Sequence, residues 1–333
     1  MTSFTGPLKA IKMTLISGLV LVGLVGAFSL SFSKSAKPDK GKTPQATSAN
    51  YKAEDYVGAD TCKTCHEEIY NNFQKTGHFK LTRYGNWTAD NKGCEACHGP
   101  GKAHVDGGGD KTKIHTFEDQ SAKQISETCL RCHAGKEEHN NFRRGEHWRN
   151  DVSCINCHAP HSPTATDLKM LVQKEPMLCI SCHSEIKAQF NMPFRHKVME
   201  NTTKGNVLEG TMKCTDCHNP HGGFEQKQVR LATGGDAPCM KCHADKQGPF
   251  VFEHAPLREE GCTICHIPHG SNNPKLLKRN EVRILCLECH SNAGTVGAPD
   301  TPSFHNQATA RFQNCTTCHV KIHGSNLDRF YFR

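Results

Sequence analysis

All twenty cysteines of this chain fall into ten copies of one pentapeptide, Cys-x-x-Cys-His. The copies supply Cys62 and Cys65, Cys94 and Cys97, Cys129 and Cys132, Cys154 and Cys157, Cys179 and Cys182, Cys214 and Cys217, Cys239 and Cys242, Cys262 and Cys265, Cys286 and Cys289, and Cys315 and Cys318. Histidine follows every time, at His66, His98, His133, His158, His183, His218, His243, His266, His290 and His319. Two thiols at this spacing can add across the vinyl groups of one porphyrin while the adjoining imidazole ligates its iron. Competing uses of paired cysteines fit less well. Tetrahedral zinc sites need no histidine after every second cysteine, and disulfide frameworks do not demand uniform close pairs with the same following residue. Iron–sulfur clusters want runs of three or four closely spaced cysteines. The expectation is ten covalently attached haem c groups.

Twelve further histidines are spread unevenly over the same region. Each even-numbered motif is bracketed by two of them: the second by His78 and His104, the fourth by His147 and His161, the sixth by His196 and His221. The eighth lies between His254 and His269, and the tenth between His305 and His323. Odd-numbered motifs lack the bracket, so the chain reads as five modules of two haems and two extra imidazoles each. Those ten imidazoles can close the second axial position of every iron, leaving His115 and His139 as non-ligands. In Cys154-Ile155-Asn156-Cys157-His158-Ala159-Pro160-His161 the last histidine is three residues past the first. Three residues span at most about 11 Å, too little to round the porphyrin edge, so His161 should serve a neighbouring haem, as should His221, His269 and His323. Histidine on both faces favours low potentials and leaves no vacant position for a substrate. No Cys-x-x-Cys-Lys variant of the kind some multihaem reductases use occurs. Catalysis by the chain itself is therefore not expected.

The elements that must position these groups are slight. Residues 62–333 allot about 27 residues to each haem, less than a domain usually spends on its own core, and hydrophobic residues are only 36% of the chain. The porphyrins must supply much of the apolar interior, with folding coupled to their attachment. Short helices are expected over 67–76, 122–131 and 185–190, and Gly107-Gly108-Gly109 and Gly234-Gly235 interrupt other stretches. Alternation that would build a sheet is scarce. The fold class expected is a multihaem cytochrome c: an irregular, haem-cored, elongated chain with short α-helices and little β-sheet. Its haem domain would cover residues 59–333, in modules of about 62–128, 129–178, 179–238, 239–285 and 286–333.

Lys9 and Lys12 precede an uncharged, mostly apolar stretch at 13–32, which reads as a signal peptide over 1–33. Cleavage after residue 29, 33 or 35 would each follow a small residue. An uncleaved anchor competes, but Lys34, Lys37, Lys40 and Lys42 follow the stretch, against the usual charge asymmetry of a membrane span. Residues 34–58, rich in Lys, Ser, Thr and Pro, read as a flexible linker. The formal charge of +8 does not indicate nucleic acid. Twenty propionates and ten ferric centres would bring the oxidised holoprotein to about −2, and no nucleic-acid module is present.

The runs Cys94-Glu95-Ala96-Cys97-His98-Gly99-Pro100 and Cys214-Thr215-Asp216-Cys217-His218-Asn219-Pro220-His221-Gly222 are more specific than the motif alone. With Glu253-His254-Ala255-Pro256 and the closing His323-Gly324-Ser325, they make residues 62–325 resemble the exported decahaem cytochromes of the MtrA/DmsE type. The aromatic ending Asp328-Arg329-Phe330-Tyr331-Phe332-Arg333 departs from that pattern. The resemblance implies a periplasmic protein associated with the outer membrane, inserted in a β-barrel porin. It would take electrons from a periplasmic or inner-membrane donor and pass them to an extracellular multihaem cytochrome or terminal reductase. The chain has no barrel-like strand series of its own. Two other readings stand beside this one: a soluble or membrane-anchored periplasmic carrier, and a multihaem reductase of a small nitrogen or sulfur compound.

Overall fold

The computed structural model describes residues 51–83, 88–163, 169–201, 207–209, 212–223, 226–230, 238–259, 261–291, 293, 305 and 309–333. The expected signal peptide, most of the linker and Gly234-Gly235 lie outside these residues. So do parts of the expected modules.

Helices are short, as the sparse apolar patterning requires. The longest among the described residues is Ala122–His133. It begins with a reciprocal cap: Ser121 Oγ accepts from Gln124 N at 3.3 Å and Gln124 Oε1 accepts from Ser121 N at 2.9 Å. Ile125, Ser126 and Leu130 form its buried stripe. It runs two residues beyond the expected end, so the whole third motif is helical. Glu67–Phe73 stops three residues before the expected end, and Ser184–Gln189 replaces the expected 185–190. Segments this short are marginal alone; tertiary contacts and the covalent cofactors must hold them.

Among the described residues, sheet is confined to two antiparallel pairs. Phe194–Arg195 pairs with Gly270–Ser271, and Met199–Asn201 with Val207–Glu209. The buried apolar side chains among the described residues are few, and they are scattered. The largest cluster is Ile180, Phe190, Val198 and Met199, with Ile186 and Met212 packed against it. No helix of the described residues is long and apolar enough to cross a membrane.

Residues 51–58, the last part of the expected linker, are tied down. Val57 N and Gly58 N donate to the Glu95 carboxylate at 3.0 and 2.9 Å, and Gly101 N donates to it at 2.7 Å. Glu95 lies inside the second motif and is only 4% exposed. The chain leading to the first motif is thus pinned to the second.

Candidate haem-binding sites

Every motif is wound as one helical turn. The histidine N–H donates to the carbonyl of the first cysteine, for example His66 to Cys62 at 2.9 Å and His319 to Cys315 at 3.0 Å. Residues at i, i+3 and i+4 share one helix face, so both thiols and the imidazole of a motif point the same way. A porphyrin needs that arrangement to be held by two thioethers and one axial ligand.

Ten ring pairs, with centroids about 6 Å apart, each join a motif histidine to a different non-motif one. Ring centroids lie 6.3 Å apart for His66–His104, 5.8 Å for His98–His161, 6.0 Å for His133–His78 and 6.0 Å for His158–His221. They lie 6.2 Å apart for His183–His147, 6.1 Å for His218–His269 and 6.4 Å for His243–His196. The last three are His266–His323 at 6.3 Å, His290–His254 at 6.2 Å and His319–His305 at 6.4 Å. Two metal–imidazole bonds of about 2 Å plus the ring half-widths separate such centroids by roughly 6 Å. The residues therefore fit a metal centre between each pair. His115 and His139 belong to none of the ten.

The pairing follows a rule that the spacing of the motifs does not reveal. An even motif takes the histidine that follows the next even motif: His98 meets His161, His158 meets His221, His218 meets His269, His266 meets His323. An odd motif takes the histidine that precedes the even motif before it, as in His133 with His78 and His183 with His147. The ends close the pattern, since the first motif takes His104 and the tenth takes His305. Modules are interlocked rather than self-contained.

Thiol contacts run the other way, between neighbours in sequence. Cys62 lies against Cys94, Cys129 against Cys154, Cys179 against Cys214, Cys239 against Cys262, and Cys286 against Cys315. Between these couples, Cys97 is within electrostatic reach of Cys132, Cys157 of Cys182, Cys217 of Cys242, and Cys265 of Cys286. Every motif therefore approaches the next, from the first to the tenth.

A second device distinguishes the even motifs. Their histidine Nδ1 atoms are bonded to main-chain carbonyls further along: His98 to His115 O at 2.8 Å, His158 to Lys169 O at 2.6 Å, and His218 to Lys227 O at 3.0 Å. His266 pairs with Lys275 O at 2.8 Å, and His319 with Phe330 O at 2.6 Å. A donor Nδ1–H fixes the tautomer and frees Nε2 for metal. In four of the five, the residue after the acceptor is a non-glycine with left-handed backbone: Met170 (φ 54°), Gln228 (52°), Leu276 (58°) and Tyr331 (63°). Such conformations are uncommon and cost energy; here they turn the carbonyl back onto the ring. The unfamiliar aromatic ending is this same device at the tenth motif, where Phe332 also sits 4.9 Å from the His319 ring. His115, whose ring belongs to none of the ten pairs, supplies the backbone acceptor at the second.

Three partner histidines are anchored likewise: His104 to Asp110 O at 2.9 Å, His147 to Pro220 O at 2.9 Å and His196 to Pro268 O at 2.6 Å. Burial holds the pKa of His78, His161, His254, His269 and His323 below the usual histidine value, and pushes His221 down to about 3. Neutral imidazole is the form a metal requires. A second buried carboxylate, Glu175, accepts from Thr215 N at 3.3 Å and Thr215 Oγ1 at 3.2 Å, beside Cys179 and Cys214.

The expected site residues are thus brought together, while Glu95, Glu175 and the carbonyl acceptors were not anticipated. A sequence signal for the acceptors exists in Lys169-Met170-Leu171, Lys227-Gln228-Val229 and Lys275-Leu276-Leu277. Each pairs back on its motif histidine through a bridge at Leu171, Val229 or Leu277.

Comparison with known proteins agrees with this geometry. The family described as the doubled CXXCH motif matches residues 139–188, 205–248 and 254–295, and that of cytochrome c554 and c-prime matches 61–91 and 102–159. The multihaem cytochrome MtrA of Shewanella baltica is 32% identical over 281 residues, covering 81% of this chain and 79% of its own. The C-type polyhaem cytochrome OmcC of Geobacter sulfurreducens is 25% identical over 272 residues, covering 75% of this chain but 31% of its own length. With ten paired attachment motifs and that extent of similarity, this chain is a multihaem c-type cytochrome that binds ten haem c groups covalently, and it belongs to the MtrA family.

Proposed function

We propose that this electron-transfer cytochrome is a non-enzymatic conduit. It would connect periplasmic carriers to an extracellular acceptor or reductase through an outer-membrane porin. Its ligands would be the ten motif histidines and His78, His104, His147, His161, His196, His221, His254, His269, His305 and His323, in the ring pairs given above. Each haem supplies one reversible ferric–ferrous electron. The chain's own contribution is placement. Turns wound on the cysteine carbonyls aim thiols and imidazole together, and carbonyls on Nδ1 hold the rings in orientation.

The observation that carries this reading is the unbroken approach of each motif to the next through its cysteines. A long-range carrier needs such continuity, whereas a reductase needs an open axial position. A complete set of ten ring pairs supports the carrier. The location and the porin partner rest on the resemblance to exported decahaem cytochromes and on the basic, apolar leader at 1–33.

Spectroscopy of the purified holoprotein tests the ligand set: ten low-spin haems are expected, and a substantial high-spin fraction overturns it. Detergent extraction tests the partner. Co-purification with a β-barrel from outer membranes is the expected result, and recovery as a partnerless monomer after gentle extraction would overturn the conduit.

A further inference from the structure

His139 pairs with no motif, yet it stands among the rings of two. Its centroid lies 4.3 Å from His221 and 5.3 Å from His133. The first spacing is too short to admit a metal, and His221 already faces His158 across 6.0 Å. His139 is held there by its own backbone, whose N–H donates to Lys136 O at 2.9 Å.

Most ring pairs have an oxygen acceptor on at least one Nδ1. The third pair, His133–His78, has no carbonyl bonded to either ring among the described residues. The ninth, His254–His290, shares this lack, but among the described residues only the third leaves a motif histidine with a buried, unpartnered nitrogen. That nitrogen is His133 Nδ1, and the matching buried, unpartnered nitrogen is His139 Nδ1. Two orphaned polar atoms on adjacent rings are costly unless satisfied together.

We propose that His139 is the positioning residue of the third motif, its Nδ1 accepting the Nδ1–H of His133 through one bridging water while its ring packs on His221. A buried water needs polar partners, which the two nitrogens provide. The arrangement substitutes a side chain for the main-chain acceptor used at the even motifs. An acceptor on the ligand's far nitrogen makes that ligand more basic, which favours the ferric state and lowers the potential. Because the same ring touches His221, it also couples the ligand set of the third motif to that of the fourth.

This inference rests on His133 and His221 being iron ligands, as proposed above. The test is a redox titration, followed by absorbance and low-temperature EPR, of holoprotein carrying His139→Leu or His139→Gln. In His139→Leu, ten low-spin haems should remain and one of them should titrate at higher potential with altered g-values. His139→Gln, which keeps an acceptor, should return that haem toward the wild-type position. Leu and wild-type titrations that superimpose would overturn the proposal, as would equal shifts in both variants, since packing alone would then explain them. A haem lost or turned high-spin in both variants would overturn it too, by making His139 a ligand or a folding residue. Failure of the wild type to show ten low-spin haems would instead count against the ligand assignment itself.

Discussion

Replacing Gly222 by alanine should dislodge one axial ligand. Gly222 follows His221 in a turn where Asn219 Oδ1 accepts from His221 N at 3.1 Å and Asn219 Nδ2 donates to Gly222 O at 2.7 Å. Its φ is +102°, and a Cβ there would press on the Asn141 carbonyl oxygen, lie 2.8 Å from the carbonyl carbon and 3.3 Å from Gly145 Cα. All three are backbone atoms, so no side chain can swing aside. The left-handed φ costs an alanine about 1–2 kcal/mol and the overpacking about 1–3 kcal/mol. Relief requires the turn to move by about 1 Å, and a metal–imidazole bond of about 2 Å does not stretch that far. Gly222→Ala should therefore melt earlier and show one high-spin haem in ten. Two controls separate the causes. Gly108, at φ +68° with nothing within 4 Å of a built Cβ, isolates the backbone cost, and Gly135, equally open, should be neutral. Gly222→Ala holoprotein that is wholly low-spin and melts like wild type would refute the packing argument.

Other outcomes follow from the same geometry. His254→Met should raise the potential of one haem, because thioether ligation stabilises ferrous iron relative to imidazole; an unchanged redox titration would remove His254 from the ligand set. Acid should weaken the fold. With the His221 pKa lowered from 6.5 to about 3, the folded state binds fewer protons than the unfolded one between those values. Its contribution is complete above pH 6.5 and is lost as pH falls toward 3, at up to about 1.4 kcal/mol per pH unit. Thermal melting between pH 7 and 4 should show this; a flat profile would contradict it. Glu95→Gln removes the charge and one acceptor from the three N–H groups that converge on it. A cost of about 1–3 kcal/mol and faster proteolysis near residues 51–58 are expected; unchanged protease resistance would show that the carboxylate does not pin this segment.

Much of the site was legible in sequence because haem attachment is local chemistry. Cysteines and histidine must share one helical turn, so the spacing within each motif already states the geometry that the His66 N–Cys62 O bond realises. The bracketing histidines were legible by recurrence. His161 could be assigned to a neighbour by chain length alone, and it does meet His98. Glu95 and Glu175 were not legible, since a carboxylate inside or beside a motif looks like an ordinary surface residue until backbone N–H groups converge on it.

Composition and spacing by themselves determined the cofactor, its number and the thin apolar core. Each of these depends only on which residues lie within one turn or one short tether of each other. Which imidazole faces which required the tertiary structure, because the partners are far apart in sequence and several candidates have equal chain reach. The same holds for the motif-to-motif thiol contacts and the carbonyls turned onto Nδ1. His139 illustrates the difference: sequence leaves it without a partner, whereas packing sets it between His133 and His221.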